Sequence, residues 1–151
     1  MALLEKIEAD LKQAMKDKAK DKVAALRSIK TALMLARTEK GANQQISEEN
    51  EIKILQKLLK QRKESAEVYE QQSRKELAEQ EKKEASYIES YLPEQMSDEE
   101  LTNVIQGIIE EVGAQSMSDM GKVMGVATRQ LAGKAEGKAI SEKVKSLLSG
   151  Q

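Results

Sequence analysis

Residues 119–151 carry six cations, Lys122, Arg129, Lys134, Lys138, Lys143 and Lys145, against three acids, Asp119, Glu136 and Glu142. Ammonium and guanidinium groups break no bonds alone; what they do well is hold phosphates and carboxylates. Four glycines are interleaved with them, Gly121, Gly125, Gly133 and Gly137. Glycine turns a chain or lets another backbone come close. The pattern offers recognition of an anion, with the lysines as contacts and the glycines as supporting turns.

Other chemistry is scarce. The chain has no cysteine and no histidine, which removes disulfides, thiolate nucleophiles, Cys-ligated zinc and the commonest acid/base and metal ligand. Carboxylates, lysines and three tyrosines remain for proton transfer, and none stands in a recognisable catalytic arrangement. We therefore assign no catalytic, cofactor or metal residues.

Gly133-Lys134-Ala135-Glu136-Gly137-Lys138-Ala139 invites comparison with a phosphate loop. The spacer between its glycines is one residue short, Ala139 stands where a hydroxyl residue would hold magnesium, and no strand precedes it. It reads as a glycine-rich turn between helices. Gly121 and Gly125, four apart, share one helical face, and packing inside a small helical domain is the expectation there. Met117, Met120 and Met124 are expected to fill core space.

Charge is uneven along the chain although the formal net charge is −1. Residues 1–40 hold ten Lys/Arg against six Asp/Glu, and the middle compensates with acid. Such asymmetry suits an anionic partner or a solvated helix face. Phe and Trp are absent and all three tyrosines precede Pro93, so any nucleic-acid contact is to phosphates and shape rather than to stacked bases. Arg62 and Lys63 could join such a surface, or Arg62 could cover a seam between helices with its aliphatic stem.

The elements that must position these residues are helical. Charged residues are 34% of the chain and aromatic ones 2%, a helix-forming composition with little material for a sheet. Glycine is absent between Gly41 and Gly107, and Pro93 is the one proline. Leu4, Ile7, Leu11 and Met15 mark a first amphipathic helix, and Lys16–Lys22 reads as a turn. Val23, Leu26, Ile29 or Lys30, Leu33 and Ala36 mark a second helix closed by Gly41. Ser47 caps a long third helix with the stripe Ile52, Leu55, Leu59, Arg62, Ala66 and Tyr69. Ser73-Arg74-Lys75-Glu76 matches a capping box that would open a fourth helix bearing Leu77, Glu81, Ala85, Ile88 and Leu92.

A boundary follows at residues 93–96, where proline stops a helix and Ser97-Asp98-Glu99-Glu100 forms a second capping box. Beyond it we expect helices at Leu101–Val112 closed by Gly113, at Met120–Leu131, and at Ile140–Leu148. The expected architecture is all-α, with a four-helix N-terminal part over residues 1–93 and a three-helix domain over residues 97–151. No apolar run approaches the ~20 residues that span a bilayer, and the acidic start is unlike a signal peptide, so a cytoplasmic protein is expected.

Several blocks carry a resemblance: Leu3-Leu4-Glu5-Lys6-Ile7 with Met15-Lys16, Leu26-Arg27-Ser28-Ile29-Lys30, Lys60-Gln61-Arg62-Lys63-Glu64-Ser65, Tyr91-Leu92-Pro93-Glu94-Gln95, Asp119-Met120-Gly121-Lys122-Val123-Met124-Gly125, and Gly133-Lys134-Ala135-Glu136-Gly137-Lys138. In that order they resemble the YqeY family over nearly the whole chain. The resemblance implies an all-α protein whose C-terminal part is similar to the tail domain of the B subunit of the glutamine-dependent aminoacyl-tRNA amidotransferase, a domain that contacts tRNA. It implies that Gly121, Lys122, Gly125, Gly133, Lys134, Gly137 and Lys138 form a tRNA-facing surface and its turns.

Three functions follow as expectations. The first is a non-catalytic, tRNA-associated module; the second is a protein–protein adaptor using the long N-terminal helices. The third is a part in a carbon–nitrogen ligase activity with glutamine as amide donor, which would need an activated nucleophile and an ATP site that the sequence does not display.

Overall fold

A computed structural model describes residues 2–39, 41 and 45–150. Among these are seven α-helices: α1 Leu3–Lys16, α2 Lys20–Glu39, α3 Glu48–Gln71, α4 Lys75–Glu89, α5 Asp98–Val112, α6 Met120–Gln130 and α7 Gly137–Leu148, with a 3₁₀ turn at Met117–Asp119 before α6. No strand occurs among them. The chain divides into two compact units, residues 1–92 and 93–151, each with its own core.

In the first unit α1 buries Ile7, Leu11 and Ala14, α2 buries Ala25, Leu26, Ile29 and Leu33, and α3 contributes Leu55 and Leu59. Ala85 and Ile88 of α4 and Leu92 after it complete this core. Aliphatic burial at about 25 cal/mol per Å² is its main stabilising term. Two expected stripe positions differ. Met15 is 52% exposed while Ala14 is buried, and Leu77 is 42% exposed while Ala78 is buried. In both places an alanine one position away lets the helix axes approach more closely than the larger side chain would.

Polar links tie the first unit's helices together. Tyr91 Oη donates to Asp10 Oδ2 at 2.6 Å, and Lys6 Nζ lies 5.5 Å from the Tyr91 ring centroid. Burial, the bond to Asp10 and the nearby negative charge all raise the phenol's pKa. Burial, with repulsion from Glu48, raises the Glu51 pKa, and the Leu3 N–H at the start of α1 opposes that shift.

Helix ends follow local rules. Ser47 Oγ accepts from the Asn50 N–H and Ser97 Oγ from the Glu100 N–H, so both serines cap as expected. Ser73 does the opposite of what its sequence context suggests. At φ 61° its N–H reaches Glu70 O, and the Arg74 N–H reaches Tyr69 O at 2.8 Å. This paired closure terminates α3, and Arg74, without a side-chain cap bond, precedes α4. The same closure at Lys18, φ 55°, ends α1 and confines the turn to residues 17–19, so that Lys20 already opens α2. Gly113 ends α5 in the same way.

In the second unit Leu101, Ile105, Ile108 and Ile109 of α5 pack with Val123 and Ala127 of α6, Leu131, and Ile140 and Val144 of α7. Met120 and Met124 pack against this core, whereas Met117 is 40% exposed in the 3₁₀ turn and fills no core space. Gln95 Nε2 donates to Pro93 O and to Gly133 O at 2.7 Å, and the Met96 N–H donates to Lys134 O. Residues 93–96 thereby clamp the turn between α6 and α7.

Glu84 is the one buried charged residue among those described, 9% exposed on α4. Arg62 Nε of α3 lies 3.3 Å from Glu81 Oε2, close enough for an ion pair but not aligned for a hydrogen bond. Arg62 is thus an inward partner of α4, not a surface cation. Burial, together with repulsion from Glu81 and Asp21, raises the Glu84 pKa against the opposing pull of Arg62. A carboxyl raised above its unfolded value favours folding below the unfolded pKa, and that contribution is lost as pH rises through the folded value. Glu84→Gln is therefore expected to raise Tm at pH 7. The gain shrinks towards zero at pH 4, as thermal melts at the two pH values will read.

Candidate nucleic-acid interface

Val123 and Ala127 are fully buried, and at 100° per residue their burial decides where the rest of α6 points. Gly121, Lys122, Gly125, Thr128 and Arg129 fall on the opposite side and are exposed. A Cβ built on Gly121 or Gly125 meets nothing within 4 Å. The expectation that this pair serves internal packing is thus overturned: the two glycines face outward and leave a shallow strip of helix backbone open to solvent.

The six candidate cations separate into groups. Lys122 is exposed on α6 and helps hold the Asp119 carboxyl below its usual range, after the hydrogen bonds that Gln115 and Ser116 donate to it. Arg129 Nε donates to Gly125 O at 3.0 Å, which lays its side chain along the glycine strip. Lys138 and Lys145, two helical turns apart on α7, are exposed. Lys143 is different: its Nζ lies 2.9 Å from Asp98 Oδ1 and 3.1 Å from Oδ2, and its side chain is 20% exposed. It staples α7 to the first turn of α5, and sequence spacing gives no hint of that, because Asp98 lies 45 residues away.

Lys134 is exposed in the turn between α6 and α7, where Gly133 is buried at φ 81°. The Lys134 and Ala135 N–H groups both donate to Leu131 O, and the carbonyls of Gly133 and Lys134 accept from Gln95 and Met96. A phosphate loop needs free, convergent amides. Here two of the turn's N–H groups and two of its carbonyls are spent on the fold, and Lys134 is left exposed. Gly137 opens α7, also with open space at its Cβ.

The resulting surface can do electrostatics and close approach. Lys122 and Arg129 flank bare helix backbone, where an extended anionic chain could lie nearer the axis than side chains usually permit. Among the described residues no group of three or more acidic side chains is placed to hold a metal ion.

Glycine inside a helix costs about 1 kcal/mol relative to alanine. With open space at its Cβ, Gly125→Ala is expected to stabilise the protein by about 0.5–1 kcal/mol in urea melts. A loss of stability would show instead that an internal contact needs the glycine.

The family described as Yqey-like protein matches residues 4–148. The chain is also similar to altered inheritance of mitochondria protein 41, mitochondrial, of Clavispora lusitaniae (strain ATCC 42720), with 35% identity over 115 residues. That alignment covers 75% of this chain and 66% of the relative, just under two thirds of its length. With the match running through both helical units and through the α6 and Gly133–Lys138 blocks, this chain belongs to the YqeY family.

Proposed function

We propose that this protein is a non-catalytic, tRNA-associated binding module that meets RNA phosphates through the outward face of α6 and the neighbouring lysines. The observation that carries this reading is the exposed Gly121/Gly125 strip, which serves no internal packing and has Lys122 and Arg129 beside it. Lys134, Lys138 and Lys145 extend the set. Lys143, bound to Asp98, acts as a structural staple. Phosphates suit this surface because it offers charge and shape without aromatic platforms. The resemblance to an amidotransferase tail domain that the sequence blocks of the C-terminal part suggest is the ground for taking tRNA as the polyanion.

A protein adaptor is the second reading, favoured by the exposed Val68 and Leu77 on α3 and α4. Arg62, Ser65, Val68, Tyr69 and Gln72 border a shallow, open depression of mixed polar and apolar character along α3.

Binding of tRNA by the full chain across a salt series separates the two. Phosphate contacts predict a log–log slope of about −0.7 to −0.9 per neutralised charge. Reversing Lys122, Lys134 and Lys138 together is expected to weaken binding at least tenfold and to flatten that slope by about 2. Lys143→Glu is expected to lower Tm through loss of the staple. Unchanged tRNA affinity after the triple reversal would contradict the reading.

A further inference from the structure

A second cationic surface lies in the first unit and is absorbed by nothing above. Lys12, Lys16, Lys18, Lys20 and Lys22 fall within eleven residues, with Asp17 and Asp21 as the only acids among them. The first four lysines are exposed and Lys22 is half-buried. Both acids are engaged elsewhere: Asp21 Oδ2 lies 3.8 Å from Lys83 Nζ of α4, and Asp17 Oδ1 accepts from Gln13 Nε2 at 3.0 Å. Among the described residues none of the five ammonium groups has an ion-pair or hydrogen-bond partner.

Helix geometry gathers these charges. Lys12 and Lys16 are one turn apart on the same face of α1. The closure at Lys18 turns the chain within residues 17–19, so that Lys20 opens α2 one turn's length of sequence after Lys16. Lys20 and Lys22 at the start of α2 oppose its macrodipole, a cost that an external anion would offset, whereas Lys16 in the last turn of α1 is favourably placed. Solubility alone would be served as well by lysines elsewhere.

We propose that the turn between α1 and α2 is a second phosphate-contacting surface of this protein, taking the backbone of a nucleic acid of the kind that α6 engages. The proposal rests on the RNA-binding reading. A nucleic acid fits better than an anionic bilayer: a surface-lying helix needs an apolar face to insert, and that of α1, Ile7, Leu11 and Ala14, is buried in the core. Met15 is the one large apolar side chain exposed between Lys12 and Lys22.

The test uses the full chain in four forms: wild type, Lys16→Glu/Lys18→Glu/Lys20→Glu, Lys122→Glu/Arg129→Glu, and all five changes together. Each is titrated with tRNA at several salt concentrations and with vesicles of phosphatidylcholine and phosphatidylserine. The turn variant is expected to bind tRNA roughly tenfold more weakly, with the salt slope reduced by about 2, and the five-fold variant to show the two losses added on a logarithmic scale. If the glutamate set melts early, the glutamine set at the same positions keeps the measurement valid.

Wild-type tRNA affinity in the turn variant alongside weakening in the α6 variant overturns this inference and leaves the proposed function standing. Weakening in the turn variant alone keeps the turn as a phosphate surface and overturns the α6 assignment. Vesicle binding lost in the turn variant while tRNA binding is intact overturns it in favour of a membrane surface. No tRNA binding by the wild type at low salt overturns both.

Discussion

The rotation of α6 about its own axis is the constraint on which the account of the second unit depends. Val123 and Ala127 are both fully buried against α5 and α7, and a valine with its single preferred helical rotamer leaves little freedom in how the helix seats. Once they point inward, Gly121 and Gly125 point outward, with Lys122 and Arg129 on the edge of the same face. A rotation of 100° in either direction would bury a lysine or a glycine strip and expose the valine. The proposed surface is therefore a by-product of core packing rather than a separately built site.

The turn that follows α6 is held by a different mechanism. Gln95 and Met96, residues next to the single proline, satisfy the carbonyls of Gly133 and Lys134, and Gly133 supplies the left-handed conformation the turn requires. A residue other than glycine there would cost about 1–2 kcal/mol. These bonds join residues 93–96 to the glycine-lysine block, far apart in the chain, within the second unit. The phosphate-loop resemblance in that turn fails on its short spacer and on Ala139 standing where a hydroxyl residue is needed.

Much of the fold was legible from residues alone. The serines before Glu48 and Asp98, glycine after Val112, and the stop at Pro93 mark helix ends through capping chemistry that operates within a few residues. Ser73 was misread because its sequence fits an N-cap, while the structure uses it in a left-handed closure of the preceding helix; propensity alone does not choose between the two. Ala14 and Ala78 displaced Met15 and Leu77 from the core because the distance between helix axes is set by partners remote in sequence. The candidate cations were visible as types, but their availability was not. Lys143 reaches Asp98 and Arg129 reaches Gly125 O, and the outward direction of the glycine pair required knowing which neighbours α6 packs against.

The most direct test is a map of backbone amide shifts in the uniformly labelled full chain as tRNA is added at low salt. The account predicts the largest changes at Gly121–Arg129 and in the turn at Lys134–Lys138, with the amides of Ile105, Ile108 and Ile109 on the buried side of α5 undisturbed. Perturbations confined to α3 and α4, or none at saturating tRNA, would contradict it and would leave the helical hairpin of the first unit as the place to look for a partner.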